Sequence, residues 1–286
     1  YNLPLDQTFL GVDYTYGLKW YEARVNNNTD QSHIFNLKLD HAFSERYDVS
    51  LKDSFVYSRE PTVLDAGGAI TAPTSLRTEG SGMKNRGNVD FGMQFSPKWG
   101  VGIGYENNWY DYDQDAGDVL PGVASRSQLL DRMQHLIPID ARYTVNPKFV
   151  ALVGYQYGLT DYSSNDNYFS ANVGGVVAPD WRNSSAHYGY LGGEYAVSSQ
   201  LNLSFKGGAQ YTTYDNLKSY DSTLDDNQVT PYADLSASYM YNPGSFVTGG
   251  YTYSLTSTDV QVLDNKTHVV YVALTHKITA RVDANL

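Results

Sequence analysis

The sequence predicts an all-β fold: a transmembrane antiparallel up-and-down β-barrel of 12–14 strands, with 14 favoured for the full-length protein. Three observations carry this. Six stretches repeat one hairpin design, apolar and polar residues take turns along each strand, and short turns at one end of the strands face long polar loops at the other.

The repeats read LKLDHAFSERYDVSLKDSF (37–55), FGMQFSPKWGVGIGYE (91–106), IDARYTVNPKFVALVGYQY (139–157), GGEYAVSSQLNLSFKGGAQY (192–211) and DLSASYMYNPGSFVTGGYTY (234–253). A sixth, VVYVALTHKITARVDANL, occupies 269–286. Each is an alternating run, a short Ser/Asn/Pro turn and a second alternating run. Pro97, Pro147 and Pro243 follow Ser or Asn, a turn-initiating pair. Strands are expected at roughly 8–24, 31–43, 47–58, 86–95, 99–112, 130–145, 149–162, 186–197, 201–214, 230–241, 245–256 and 267–275, with a thirteenth from 278. An odd count predicts a further strand beyond Leu286, because single-chain bacterial barrels have even numbers. Tyr1 is not preceded by a basic and then apolar leader, so a mature or trimmed start is expected. Residues 1–286 read as one domain, with helix close to nil.

Segments 59–85, 113–128, 163–184, 215–229 and 256–267 are rich in Asp, Asn, Ser, Thr and Gly and read as the long loops. Connections in compact soluble domains are mostly short throughout. Outer-membrane barrels instead place tight turns on one side and long loops on the other.

Parity separates two faces. Leu10, Val12, Tyr14, Tyr16, Leu18 and Trp20 alternate with Gly11, Asp13, Thr15, Gly17 and Lys19. Val101, Ile103 and Tyr105 alternate with Gly100, Gly102, Gly104 and Glu106, and Leu203, Phe205 and Tyr211 with Ser204, Lys206 and Gln210. The apolar set is expected to face lipid, with aromatic girdles at both ends. Phe43, Phe95, Trp99, Tyr143, Tyr195 and Tyr241 lie by the short turns, and Trp20, Trp109, Tyr157, Tyr211 and Tyr253 by the loops. A soluble β-sandwich would alternate too, with its apolar face buried. Strands of about 10–14 residues favour the bilayer, since globular strands average about 5–6.

The opposite parity assigns Asp40, Asp48, Lys52, Asp90, Glu106, Asp140, Arg142, Glu194, Lys206, Asp234 and Arg281 to the lumen, either lining a hydrated pore or paired in a salt-bridge ladder. Acids outnumber bases there, which predicts a mild cation preference.

Composition narrows function. The chain has 26 Tyr, no Cys and a formal net charge of −11. Cysteine-ligated metals, disulfide frameworks and a thiol nucleophile are excluded. So acidic a chain does not fit a nucleic acid partner. Asp111, Asp113, Asp115 and Asp118 alternate somewhat like a calcium loop, but the glycine comes one residue late and no Glu closes the set. His135, His187 and His268 recur where loops descend into strands, and parity puts the first two on the lipid side, as architecture rather than catalysis. No enzyme activity, metal or cofactor is expected.

The copies at 131–162 and 182–215 resemble the β-barrel porin type 2 family. The shared pattern is carried by Arg132/His135, Arg182/His187, Gly104-Tyr105, Gly154-Tyr155, Gly250-Tyr251 and Asp161-Tyr162, and the likeness covers about 85–286. The resemblance implies a Gram-negative outer-membrane barrel, often encoded near exopolysaccharide genes, and supplies no catalytic residues. The expectation is a porin-like channel passing small hydrophilic or polysaccharide-related solutes. The alternative is a non-conducting scaffold or surface-interaction barrel in envelope assembly. Outer-membrane lipid and lipopolysaccharide are the expected partners. The solute, the oligomeric state and any pore constriction by 59–85 stay open at this level.

Overall fold

The computed structural model describes residues 2–22, 28–58, 81–119, 124–164, 167–170, 175–256, 265–279 and 282–285. Fourteen strands form one antiparallel sheet in next-neighbour order. They are β1 (Asn2–Pro4), β2 (Thr8–Trp20), β3 (Thr29–Ser44), β4 (Tyr47–Ser58), β5 (Gly82–Gln94), β6 (Trp99–Tyr112), β7 (Arg132–Asn146) and β8 (Phe149–Tyr162). The small hairpin β9 (Tyr168–Ser170) and β10 (Gly175–Val177) lies apart from that sheet. The wall then resumes with β11 (Ser184–Ala196), β12 (Leu201–Tyr214), β13 (Asn227–Asn242), β14 (Ser245–Thr256), β15 (Asn265–Thr279) and β16 (Val282–Asn285).

The short turns share one device. Ser44, Ser96 and Ser198 each accept the backbone N–H two residues on through Oγ, and Asn146 does so through Oδ1, at 2.9–3.3 Å. That side-chain turn makes Ser and Asn natural hairpin initiators. The β13–β14 turn instead places Gly244 at φ +77°, a backbone region that glycine enters without steric cost.

The sheet is concave on its polar side. Asp140 on β7 and Lys206 on β12 are three strand steps apart, about 14 Å on a flat sheet, yet their charged ends lie 4.0 Å from each other. Without both side chains laid out fully along the sheet, a curled wall is what brings them together. The convex side is the exposed apolar one: Leu191 and Val229 are 67% exposed and Val270 75%. A sandwich would bury that face, so the structure is the barrel wall and not the soluble alternative.

The largest differences from the expected boundaries are these. A strand that was not expected, β1, precedes β2; it has three residues including Pro4, too short to show alternation. β2 ends at Trp20, short of the expected 24. β15 runs on to Thr279, past the expected end at 275, and β16 covers Val282–Asn285. β5 starts at Gly82 rather than 86, because Gly-Met-Lys-Asn-Arg-Gly reads as loop while ladder pairing with β4 and β6 extends it. Short helices also occur in the loops: α1 (Arg126–Leu130), α2 (Leu217–Tyr220) and two 3-10 turns.

Candidate functional site

Register places Asp40, Asp48, Lys52, Asp90, Glu106, Asp140, Arg142, Glu194, Lys206 and Asp234 on the concave face. Arg281 lies outside the described residues. The early start of β5 adds Lys84 to this face, and parity adds Arg86, which the expected strand contained without assigning it a side, so the acid excess is smaller than expected.

Several charges of this face are held in pairs. Arg86 donates to Glu106 at 3.0 Å, Lys38 meets Asp40 at 3.0 Å, and Arg142 meets Glu194 at 3.7 Å. Ser50 also donates to Asp40 at 2.7 Å. Tyr190 donates to Asp140 at 2.5 Å, and the Lys206 ammonium stands 5.1 Å from the Tyr190 ring centroid. Tyr232 packs against both Tyr188 and Tyr190. Inward glycines have a definite use here. A Cβ on Gly154 would overlap the Tyr190 ring, and one on Gly250 would overlap the Tyr271 ring. The missing side chains let those tyrosines lie against the wall.

At the loop end the interior becomes a packed cap. Tyr168, Trp181, Tyr214 and Leu217 form a buried cluster, joined by Leu129 and Tyr220. Trp181 stacks on Tyr220 at 4.0 Å and donates Nε1–H to the Tyr168 hydroxyl at 2.7 Å. Arg132 and Arg182 lie 4.1 Å over the rings of Tyr110 and Tyr162. Arg132 donates to the Leu130 carbonyl and Arg182 to that of Leu129. Loops from β6–β7, β8–β11 and β12–β13 are thereby tied together over the concave side.

One arrangement occurs twice in this cap. The Tyr112 N–H donates to Asp131 Oδ1, and the Tyr162 N–H donates to Asn183 Oδ1, both at 2.8 Å. The position needs an acceptor rather than a charge. Burial pushes the Asp131 carboxyl up to about 7, with Asp111 and Asp115 adding to the rise.

No protein-family model and no curated protein matches the sequence. Among solved structures, an outer membrane channel from Pseudomonas putida F1 is similar over 94% of this chain and 93% of that one, at 12% identity and a TM-score of 0.48. A Pseudomonas aeruginosa FadL homologue is similar over 95% and 74%, at 11% identity and a TM-score of 0.43. For the Pseudomonas putida toluene transporter TodX the figures are 96% and 79%, 10% and 0.42. The fold stands on this chain's own strand order and register.

The convex face carries the expected aromatics. Trp20, Phe43, Trp99, Tyr195, Tyr211 and Tyr241 are exposed there. Trp109, Tyr143, Tyr157 and Tyr253 share its parity, and Phe95 sits in the turn after β5. All six histidines are on this face as well, each bonded through Nδ1 to a hydroxyl. Of the loop aspartates, Asp113 accepts from Tyr57, and Asp118 accepts the Asp115 N–H in a 3-10 turn. No metal-holding group of His, Asp and Glu occurs among the described residues.

Among the described residues, one outward carboxylate lies away from the strand ends. Asp53 lies between Leu37 on β3 and Gly87 on β5, and accepts from Asn85 Nδ2 at 3.1 Å through both oxygens. It is four residues, about 13 Å of strand, from Tyr57 near the loops, at hydrocarbon depth. Asp53→Val should therefore raise the unfolding free energy in lipid by about 1–2 kcal/mol, read from urea titration of the refolded barrel. A loss of stability instead would mean that the bond from Asn85 outweighs the cost of holding the carboxylate in the membrane.

Proposed function

We propose that the chain is a channel of the bacterial outer membrane that passes small hydrophilic, saccharide-type solutes, with the loop cap regulating its mouth. The observation that carries this reading is the concave wall. Several of its charges are paired along the surface, and Tyr190 and Tyr271 lie in space left by Gly154 and Gly250. Tyrosine rings beside carboxylates and amides suit sugars, whose C–H faces pack on aromatics while hydroxyls find acceptors and donors. A fourteen-stranded wall is wide enough to enclose water. The cap also supports the second reading, a non-conducting scaffold, because its buried Trp181 and Leu217 occupy the loop end.

Planar bilayers and liposome swelling test both. Stepwise conductance and swelling in mono- and disaccharides are expected. A correctly inserted barrel that stays electrically silent, even with the cap opened by substitution, would leave only the scaffold.

A further inference from the structure

Four of the histidines belong to one repeated constellation at the loop end of the convex face. The Tyr14 hydroxyl meets His33 Nδ1 at 2.9 Å, Tyr105 meets His135 at 2.8 Å, Tyr155 meets His187 at 2.6 Å, and Tyr251 meets His268 at 2.9 Å. Each histidine stands opposite the residue two beyond its tyrosine: Tyr16, Asn107, Tyr157 and Tyr253. Where that residue is Tyr, its ring lies 4.5–5.2 Å from the imidazole. At His135, Asn107 Nδ2 lies 3.2 Å from Nδ1. The same two-strand geometry recurs on β2/β3, β6/β7, β8/β11 and β14/β15.

Proton bookkeeping gives the arrangement a use. A neutral imidazole has one N–H and a phenol one O–H, and their mutual bond consumes one of the two. If tyrosine donates, His Nε2–H is left over; if histidine donates, the tyrosine O–H is left over. Each pair presents one oriented donor on a face otherwise made mostly of Val, Leu, Ile and aromatic side chains. The partner facing it must be rich in acceptors and must sit where hydrocarbon ends. Outward charges nearby are Asp111, opposite Met83, Asp161, opposite Met133, and Lys266, two residues from His268.

We propose that these four Tyr–His pairs form a belt that hydrogen-bonds the phosphate of lipid headgroups in the leaflet on the loop side. The proposal rests on the membrane placement above but not on conduction, and it goes beyond general aromatic anchoring by specifying phosphate over other headgroup chemistry. Phosphate oxygens accept several hydrogen bonds, and bonds to a charged acceptor are about twice as strong as neutral ones.

The test uses detergent-solubilised, folded protein titrated with phosphatidic acid or with diacylglycerol of the same chains, in EDTA, and read by native mass spectrometry. Folding and bilayer insertion are checked first, so a failure of the membrane reading is seen separately. Phosphatidic acid should bind at least tenfold more tightly. Replacing Tyr14, Tyr105, Tyr155, Tyr251, His33, His135, His187 and His268 by Phe keeps every ring, removes both members' donors from each Tyr–His pair and should erase the preference. Should that chain fail to fold, Tyr155→Phe with His187→Phe should lower the number of bound phosphatidic acid molecules by one. Equal binding of the two lipids overturns the proposal. So does a preference that survives the substitutions, or one that appears only with a divalent cation and so belongs to the carboxylates.

Discussion

Trp181→Ala should raise the conductance of the inserted barrel several-fold. Trp181 touches two separate loop elements through different chemistry, stacking on Tyr220 of α2 and hydrogen-bonding Tyr168 of the β9–β10 hairpin. Arg182 beside it bridges to the α1 loop through the Leu129 carbonyl. Truncating a buried tryptophan costs about 3–5 kcal/mol, comparable to what a few loops packed on one another can hold. The strands do not depend on it, since their ladders close without the cap. The expected result is thus an open mouth on an intact barrel, with larger single-channel steps, faster proteolysis of the β8–β11 connection and unchanged thermal unfolding of the wall. Unchanged conductance together with faster proteolysis would mean that the cap covers the wall without closing the lumen.

The second large effect is on pH. Asp131 keeps its proton up to about pH 7 in the closed cap, against 3.8 for an ordinary aspartate. The closed state thus binds more protons than the open state between those values, so raising the pH through that window weakens the closed state. Closure is fully favoured below about pH 4, and opening should increase steadily to neutrality. Asp131→Asn keeps the acceptor that the Tyr112 N–H needs and copies Asn183 in the sister position. It should flatten the pH dependence of conductance and proteolysis between pH 4 and 7, leaving the cap closed throughout. A slope that persists in Asp131→Asn would move the titration to another group, with the Asp111 and Asp115 carboxylates the nearest.

The convex and concave faces were legible because parity is local: once Val101 or Leu203 is given a side, every second neighbour follows. Turn chemistry was legible for the same reason, since Ser44, Ser96, Asn146 and Ser198 each act within three residues. Parity also named the inward charges, but not their partners. Lys84 was lost inside an apparent loop and Arg86, the first residue of the expected strand, was assigned to neither face; its bond to Glu106 depends on the register between β5 and β6. Asp53 went unremarked because a run such as Lys-Asp-Ser reads as polar whichever side each residue takes.

The amino-acid order by itself determined an alternating, turn-punctuated wall with an apolar side and a polar side, because those properties arise between residues one to four apart. Only the tertiary structure decided that the apolar side is the convex one and that Asp140 reaches Lys206 across three strands. It alone decided that tyrosines fill the space above glycines and that three loops converge on Trp181. Those contacts join residues far apart in the chain, and they exist only once the curvature of the sheet has brought their strands face to face.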